Sequence, residues 1–238
     1  MLSVKNIYKT ALLVITCLLF SGCSDKASEP MPVINVSAGV NIFNNSGFEK
    51  GRDPWISLTT SPWGKAFSLS DEFAHQGIYS AKLSLNVLPQ TEGKHIFGVV
   101  QEVRPSEFPD IISGYYYVKD WQRKAQEQYL QLVIIAIGSD NMPFPSRQIR
   151  YLLSGTDKEP IIIANARFVI VDKKDPPLSK WVYFEVKPAD DFKNLWGKVP
   201  TNFKKLRILF EVRTDGDIFA ESKASVYYDD LYLGISQK

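Results

Sequence analysis

Two cysteines and two histidines in 238 residues leave little room for disulfide or zinc chemistry. No cysteine–histidine cluster is present, so a zinc site is not expected. Cys17 lies in the first apolar run, so residues 24–238 contain no cysteine at all. Stability must then come from core burial, with a bound cation as the one remaining staple. Long apolar runs are also missing. Residues 11–20 form an apolar stretch, well short of the ~20 residues that span a bilayer core. Charge of one sign is absent too. Removing Lys5 and Lys9 from the 28 basic residues leaves 26, against 26 acidic ones. Such balance gives no attraction toward nucleic acid or broad anionic surfaces. There is no glycine-rich phosphate loop and no G-x-S-x-G elbow. No pair of acids stands out for glycoside hydrolysis. These absences point to a non-catalytic chain.

What is present begins at the N-terminus. Lys5 and Lys9 precede the apolar stretch, which ends in Leu19-Phe20-Ser21-Gly22-Cys23. This is the layout of a secretory signal peptide. The small pair before Cys23 resembles the lipobox of bacterial lipoproteins, with Phe20 where that family usually has leucine. The resemblance implies that Cys23 is acylated and becomes the first residue of the mature protein. Ser24 follows it directly and Asp25 comes one position later. In a cell with two membranes, that order implies sorting to the outer membrane. The expected division is residues 1–22 as signal peptide, 23–40 as a flexible tether, and 41–238 as one domain. Pro30 and Pro32 support the tether, because they discourage regular structure.

Period-two patterns fill the domain. Residues 81–87 alternate cleanly, and residues 205–213 place Leu206, Ile208, Phe210 and Val212 on one side. Residues 181–187 place Val182, Phe184 and Val186 together. Residues 129–137, 161–171 and 225–233 are further strands, rich in β-branched and aromatic types. Gly, Pro, Asn and Asp clusters separate them. The expectation is all-β, a jelly-roll sandwich of two antiparallel sheets, with one short helix at residues 190–196.

Five pieces, in order, carry a resemblance. They are Asn41-Ile42-Phe43-Asn44-Asn45-Ser46-Gly47-Phe48-Glu49, Asp53-Pro54-Trp55, residues 74–83 around Gly77, Val100-Gln101-Glu102-Val103, and residues 226–233 around Asp229-Asp230. Together they resemble the carbohydrate-binding modules of the family 4, 9 and 22 type, jelly rolls with a galactose-binding-like fold. Pro105-Ser106 departs from the family's Pro-Gly, and residues 138–177 match nothing in it. The resemblance implies a structural calcium held by Glu49 and by Asp229, with Asp230 as the alternative second ligand. Oxygen donors of this kind suit calcium. The other reading has these carboxylates capping turns or pairing with lysines.

The resemblance also implies a glycan ligand, held on a concave sheet face or at the end loops. Sugar recognition joins aromatic platforms to planar polar groups. Strand parity puts Trp181, Tyr183 and Glu185 outward, and likewise Tyr115, Tyr117 and Trp121. Arg207, Glu211 and Arg213 point away from the apolar side of their own strand. Gln101 lies where the family often places a polar contact, and Trp63 sits in an expected loop. The expected ligand set is Trp63, Gln101, Tyr115, Tyr117, Trp121, Tyr183, Glu185 and Arg207. The expected function is non-catalytic, lipid-anchored glycan binding in the bacterial envelope. The alternative is an assembly lipoprotein whose sandwich binds a protein partner.

Overall fold

A computed structural model describes residues 31–58, 64–89, 93–141, 146–156, 163–218 and 220–236. The signal peptide, Cys23 and Trp63 lie outside them. The elements run β1 (Ile56–Ser57), β2 (Gly64–Lys65), β3 (Ser68–Ser70), β4 (Ser80–Val87), β5 (Lys94–Val103), β6 (Ile111–Gln122) and β7 (Ala125–Ile137). They continue through β8 (Ser146–Ser154), β9 (Ala166–Ile170), β10 (Trp181–Val186), α1 (Pro188–Trp196), β11 (Lys205–Ile218) and β12 (Ser222–Gly234). One sheet has seven strands, ordered β1-β5-β11-β7-β8-β9, with β2 also on β5; the other has five, ordered β10-β6-β12-β4-β3. Among the described residues no helix is long and apolar enough to cross a membrane.

The alternation in the sequence is what packs the two layers together. Ala81, Leu83, Leu85 and Val87 of β4 are buried, while Ser84 and Asn86 between them are exposed. Leu206, Ile208, Phe210 and Val212 of β11 enter the same core from the other sheet. An aromatic cluster fills one end. Trp55 lies 5.1 Å from both Phe43 and Phe48, ring centre to ring centre, and 6.2 Å from Phe210. Trp55 also donates its indole N–H to the Asn45 carbonyl at 2.8 Å. Truncating a buried ring of this kind costs about 3–5 kcal/mol. Phe48 and Trp55 are therefore core, as their size suggests.

Helix α1 begins with Pro188 at its first turn and ends at Gly197, whose φ of 79° forms a left-handed cap. It buries Phe192 against Phe108. Leu195, which the sequence would turn inward, is exposed instead.

One expectation changes. Residues 34–39, assigned to the tether, lie on the domain. Ile34 donates its N–H to the Arg104 carbonyl and accepts from Ser106 N–H, and Gly39 N–H reaches the Ile235 carbonyl. The sandwich therefore starts before residue 41. The unmatched stretch 138–177 contributes to the large sheet through its described residues, and β9 falls within the strand expected at 161–171. It supplies β8, which pairs antiparallel with β7, and β9, which pairs parallel with β8.

Candidate functional site

The outer face of the five-stranded sheet gathers aromatic rings. Register sets the rows: β10 pairs with β6 so that Trp181 faces Tyr117, Tyr183 faces Tyr115, and Glu185 faces Ser113. Residues facing across neighbouring strands touch on one side of the sheet. Tyr115 and Tyr183 lie 5.3 Å apart, and Tyr117 and Trp181 lie 5.5 Å apart. The loop before β4 adds two rings. Phe73 stacks on Tyr117 at 4.4 Å, and His75 stacks on Tyr115 at 3.6 Å. The band ends at Tyr183, which is 52% exposed. Its hydroxyl donates to the Glu185 carboxylate at 2.7 Å. Burial, helped by that carboxylate, pushes the Tyr183 phenol above its usual value. Beside the pair opens a depression of about 390 Å³, lined by Tyr183, Glu185, Ser113, Tyr232 and Ser236 among others.

Polar groups brace the other end. Glu72 accepts from Lys82 at 2.8 Å and from the Tyr227 hydroxyl at 2.5 Å, and it also pairs with Lys119. Hydrogen bonds from Lys119, Lys82 and Tyr227 hold its carboxyl at about 2, well below the usual range.

Four expected contacts lie elsewhere. Tyr117 is buried under Phe73, so its ring supports the face and is not presented by it. Trp121 turns inward and packs on the core. A bulge in the β12–β6 ladder, where Ser225 pairs with Asp120 and Val226 with Val118, shifts the parity. Gln101 is buried, and its amide clamps the entering chain: it accepts from Asn44 N–H and donates to the Asn44 carbonyl, both at 3.0 Å. Arg207 belongs to β11, on the opposite sheet from Tyr115 and Tyr183. There it pairs with Glu102 at 2.6 Å, and Lys205 joins the same carboxylate. Burial opposes ionisation of Glu102, but the two cations outweigh it and lower its pKa.

Glu211 and Arg213 share that outer face of the seven-stranded sheet. Gln131 donates to Glu211 at 2.7 Å, and Arg213 grips Asp215, which also accepts the Tyr129 hydroxyl. Burial pushes the Glu211 carboxyl up against the pull of Arg213 and Arg150. The sequence offered parity alone here, and parity does not say which sheet a strand joins.

The carboxylates expected to hold calcium do converge. Asp229 and Asp230 oxygens and the Glu49 side chain all lie within 4.0 Å of the position a Gly47 side chain would take. Their acceptor oxygens face amides. Glu49 Oε1 takes the N–H groups of Ile78 and Tyr79 at 2.9 and 2.8 Å. Asp229 takes those of His75, Gln76 and Asp230. Asp230 bonds His75 Nδ1 at 2.5 Å. Burial raises the Asp229 carboxyl to about 6 despite these donors. Among the described residues, no group of three His, Cys, Asp or Glu side chains is placed to hold a metal ion. The three carboxylates form a hydrogen-bonded knot around Gly47, made of oxygen atoms of the kind that suit calcium.

No family model matches the sequence. No curated protein matches it. Solved structures do resemble the domain. A family 61 carbohydrate-binding module in complex with β-1,4-galactotriose has a TM-score of 0.41 at 17% identity, over 82% of this chain and 97% of that one. A family 22 xylan-binding domain has a TM-score of 0.46 at 10% identity, over 84% and 98%. A thermostable cellulase derived from the Rhodothermus marinus Cel12A enzyme has a TM-score of 0.38 at 12% identity, over 75% and 88%. The β-sandwich itself is given by the two sheets, and carbohydrate-binding modules and enzyme domains are both among the similar structures.

Proposed function

We propose that the chain is a lipid-anchored, non-catalytic glycan-binding protein of the bacterial envelope. Cys23, in its lipobox-like setting, supports the anchor, and Ser24 supports an outer-membrane address. The observation that carries the binding reading is Tyr183. Its ring stands half out of the sheet, beside Tyr115 and Glu185, at the rim of an open depression. An exposed tyrosine offers a flat face for the CH side of a pyranose. A carboxylate next to it accepts bonds from sugar hydroxyls. Affinity electrophoresis of the protein through gels cast with bacterial and plant polysaccharides tests the proposal. Retardation by at least one glycan is expected. Free migration through every gel, with the protein folded, contradicts it and favours the protein-partner alternative. Labelling with a radioactive fatty acid, lost on Cys23→Ser, tests the anchor.

A further inference from the structure

The depression beside Tyr183 is acidic. Among the described residues that line it, Glu185 is the one formal charge. The Tyr183 hydroxyl holds that carboxylate at 2.7 Å, against the edge of the ring. A second carboxylate stands at the rim: Asp110 accepts both the N–H and the hydroxyl of Ser236, a lining residue. Lys82 and Lys119 of this sheet both pair with Glu72.

The rings add to the same sign. Aromatic faces carry negative charge density, and a cation set over them is attracted. Tyr183 and Tyr115 lie 5.3 Å apart at a 54° tilt and form a corner, in which His75 covers one face of Tyr115. Trp181 extends the same side of the sheet. A corner of rings with a carboxylate at its mouth suits an ammonium group. A uronate or a sulfated sugar would meet like charge from Glu185 and Asp110. A neutral sugar could stack there but would leave the charge unanswered.

Resting on the glycan-binding reading, we propose that this face selects glycans with free amines, a deacetylated hexosamine polymer, over acidic or fully N-acetylated ones. One ring stacks on Tyr183. Its ammonium pairs with Glu185 in the corner bounded by Tyr115.

The test titrates the full-length chain, in an uncharged detergent at pH 6, with three hexasaccharides. These are glucosamine hexamer, N-acetylglucosamine hexamer and galacturonate hexamer, followed by calorimetry at two salt concentrations. The glucosamine hexamer is expected to bind roughly tenfold tighter than its acetylated counterpart, and to weaken as salt rises. Glu185→Gln, an exposed change that leaves the core alone, should remove that preference. Tyr183→Ala should remove binding altogether. Equal or tighter binding of the acetylated or acidic hexamer, still lost in Tyr183→Ala, overturns the charge selection and leaves the glycan reading standing. Glucosamine binding unaffected by Glu185→Gln overturns the assignment of the amine to this corner. No binding of these probes or of any polysaccharide in the gels defeats the glycan reading and this inference with it.

Discussion

Tyr115 lies flat on His75, with ring centres 3.6 Å apart and planes 15° apart. His75 is fixed in turn by Asp230 through Nδ1 and by Asp229 through its backbone N–H. The exposed face is thereby tied to the carboxylate knot within β12. Tyr115 owes its orientation to a residue from another element. His75→Ala should therefore free Tyr115 and weaken glycan binding about threefold to tenfold. His75→Phe restores a ring under Tyr115 and should recover most of the affinity. Calorimetry on both variants checks this, and equal loss in both would contradict it.

Glu72 gives a pH dependence with a definite sign. Its pKa is 4.5 in the ordinary state and about 2 in the fold. As pH falls, the unfolded chain takes up that proton first. The stability from Glu72 is thus complete above about pH 4.5 and is lost as pH falls through about 2. Glu72→Gln should lower the melting temperature at pH 6 and make no difference near pH 2. A gap that is constant across that range would contradict the assignment.

Gly77 closes the turn over Glu49. Its φ is +70°, and an added Cβ would sit 2.4 Å from Glu49 Oε1. That oxygen already serves Ile78 and Tyr79, so moving it breaks both bonds. Gly77→Ala should destabilise the domain by about 1–3 kcal/mol. Urea unfolding measures it, and a change below a few tenths would show that the turn relaxes.

The same knot bears on calcium. Five amide N–H groups, from Ile78, Tyr79, His75, Gln76 and Asp230, already bond Glu49 and Asp229. A chelator should therefore leave the melting temperature essentially unchanged. A drop of several degrees, reversed by calcium alone, would assign both residues as metal ligands.

Most strands were legible because one side of each is buried, and period-two alternation records that. The aromatic core was legible in Phe48 and Trp55 for their size alone. Strand β8 was not, because Arg147, Gln148 and Arg150 put polar groups on both sides of it. The site was legible in part. Tyr115, Tyr183 and Glu185 fall together because their strands happen to be neighbours. Arg207 was grouped with them on parity, and parity carries no information about which sheet a strand enters. Trp121 failed for another reason: one bulged residue reverses every side chain beyond it. Gln101 looked like a sugar contact because a polar residue in a strand has two uses. Here it replaces a missing backbone partner for Asn44. Nothing local in the sequence marks His75 as the support of Tyr115.

The central claim is that the five-stranded sheet, and not the seven-stranded one, presents the binding face. Comparing Tyr183→Ala with Arg207→Ala in gels that retard the parent protein tests it most directly. Tyr183→Ala should migrate freely, and Arg207→Ala should be retarded like the parent. Retardation lost in Arg207→Ala and kept in Tyr183→Ala would move the site to the opposite sheet.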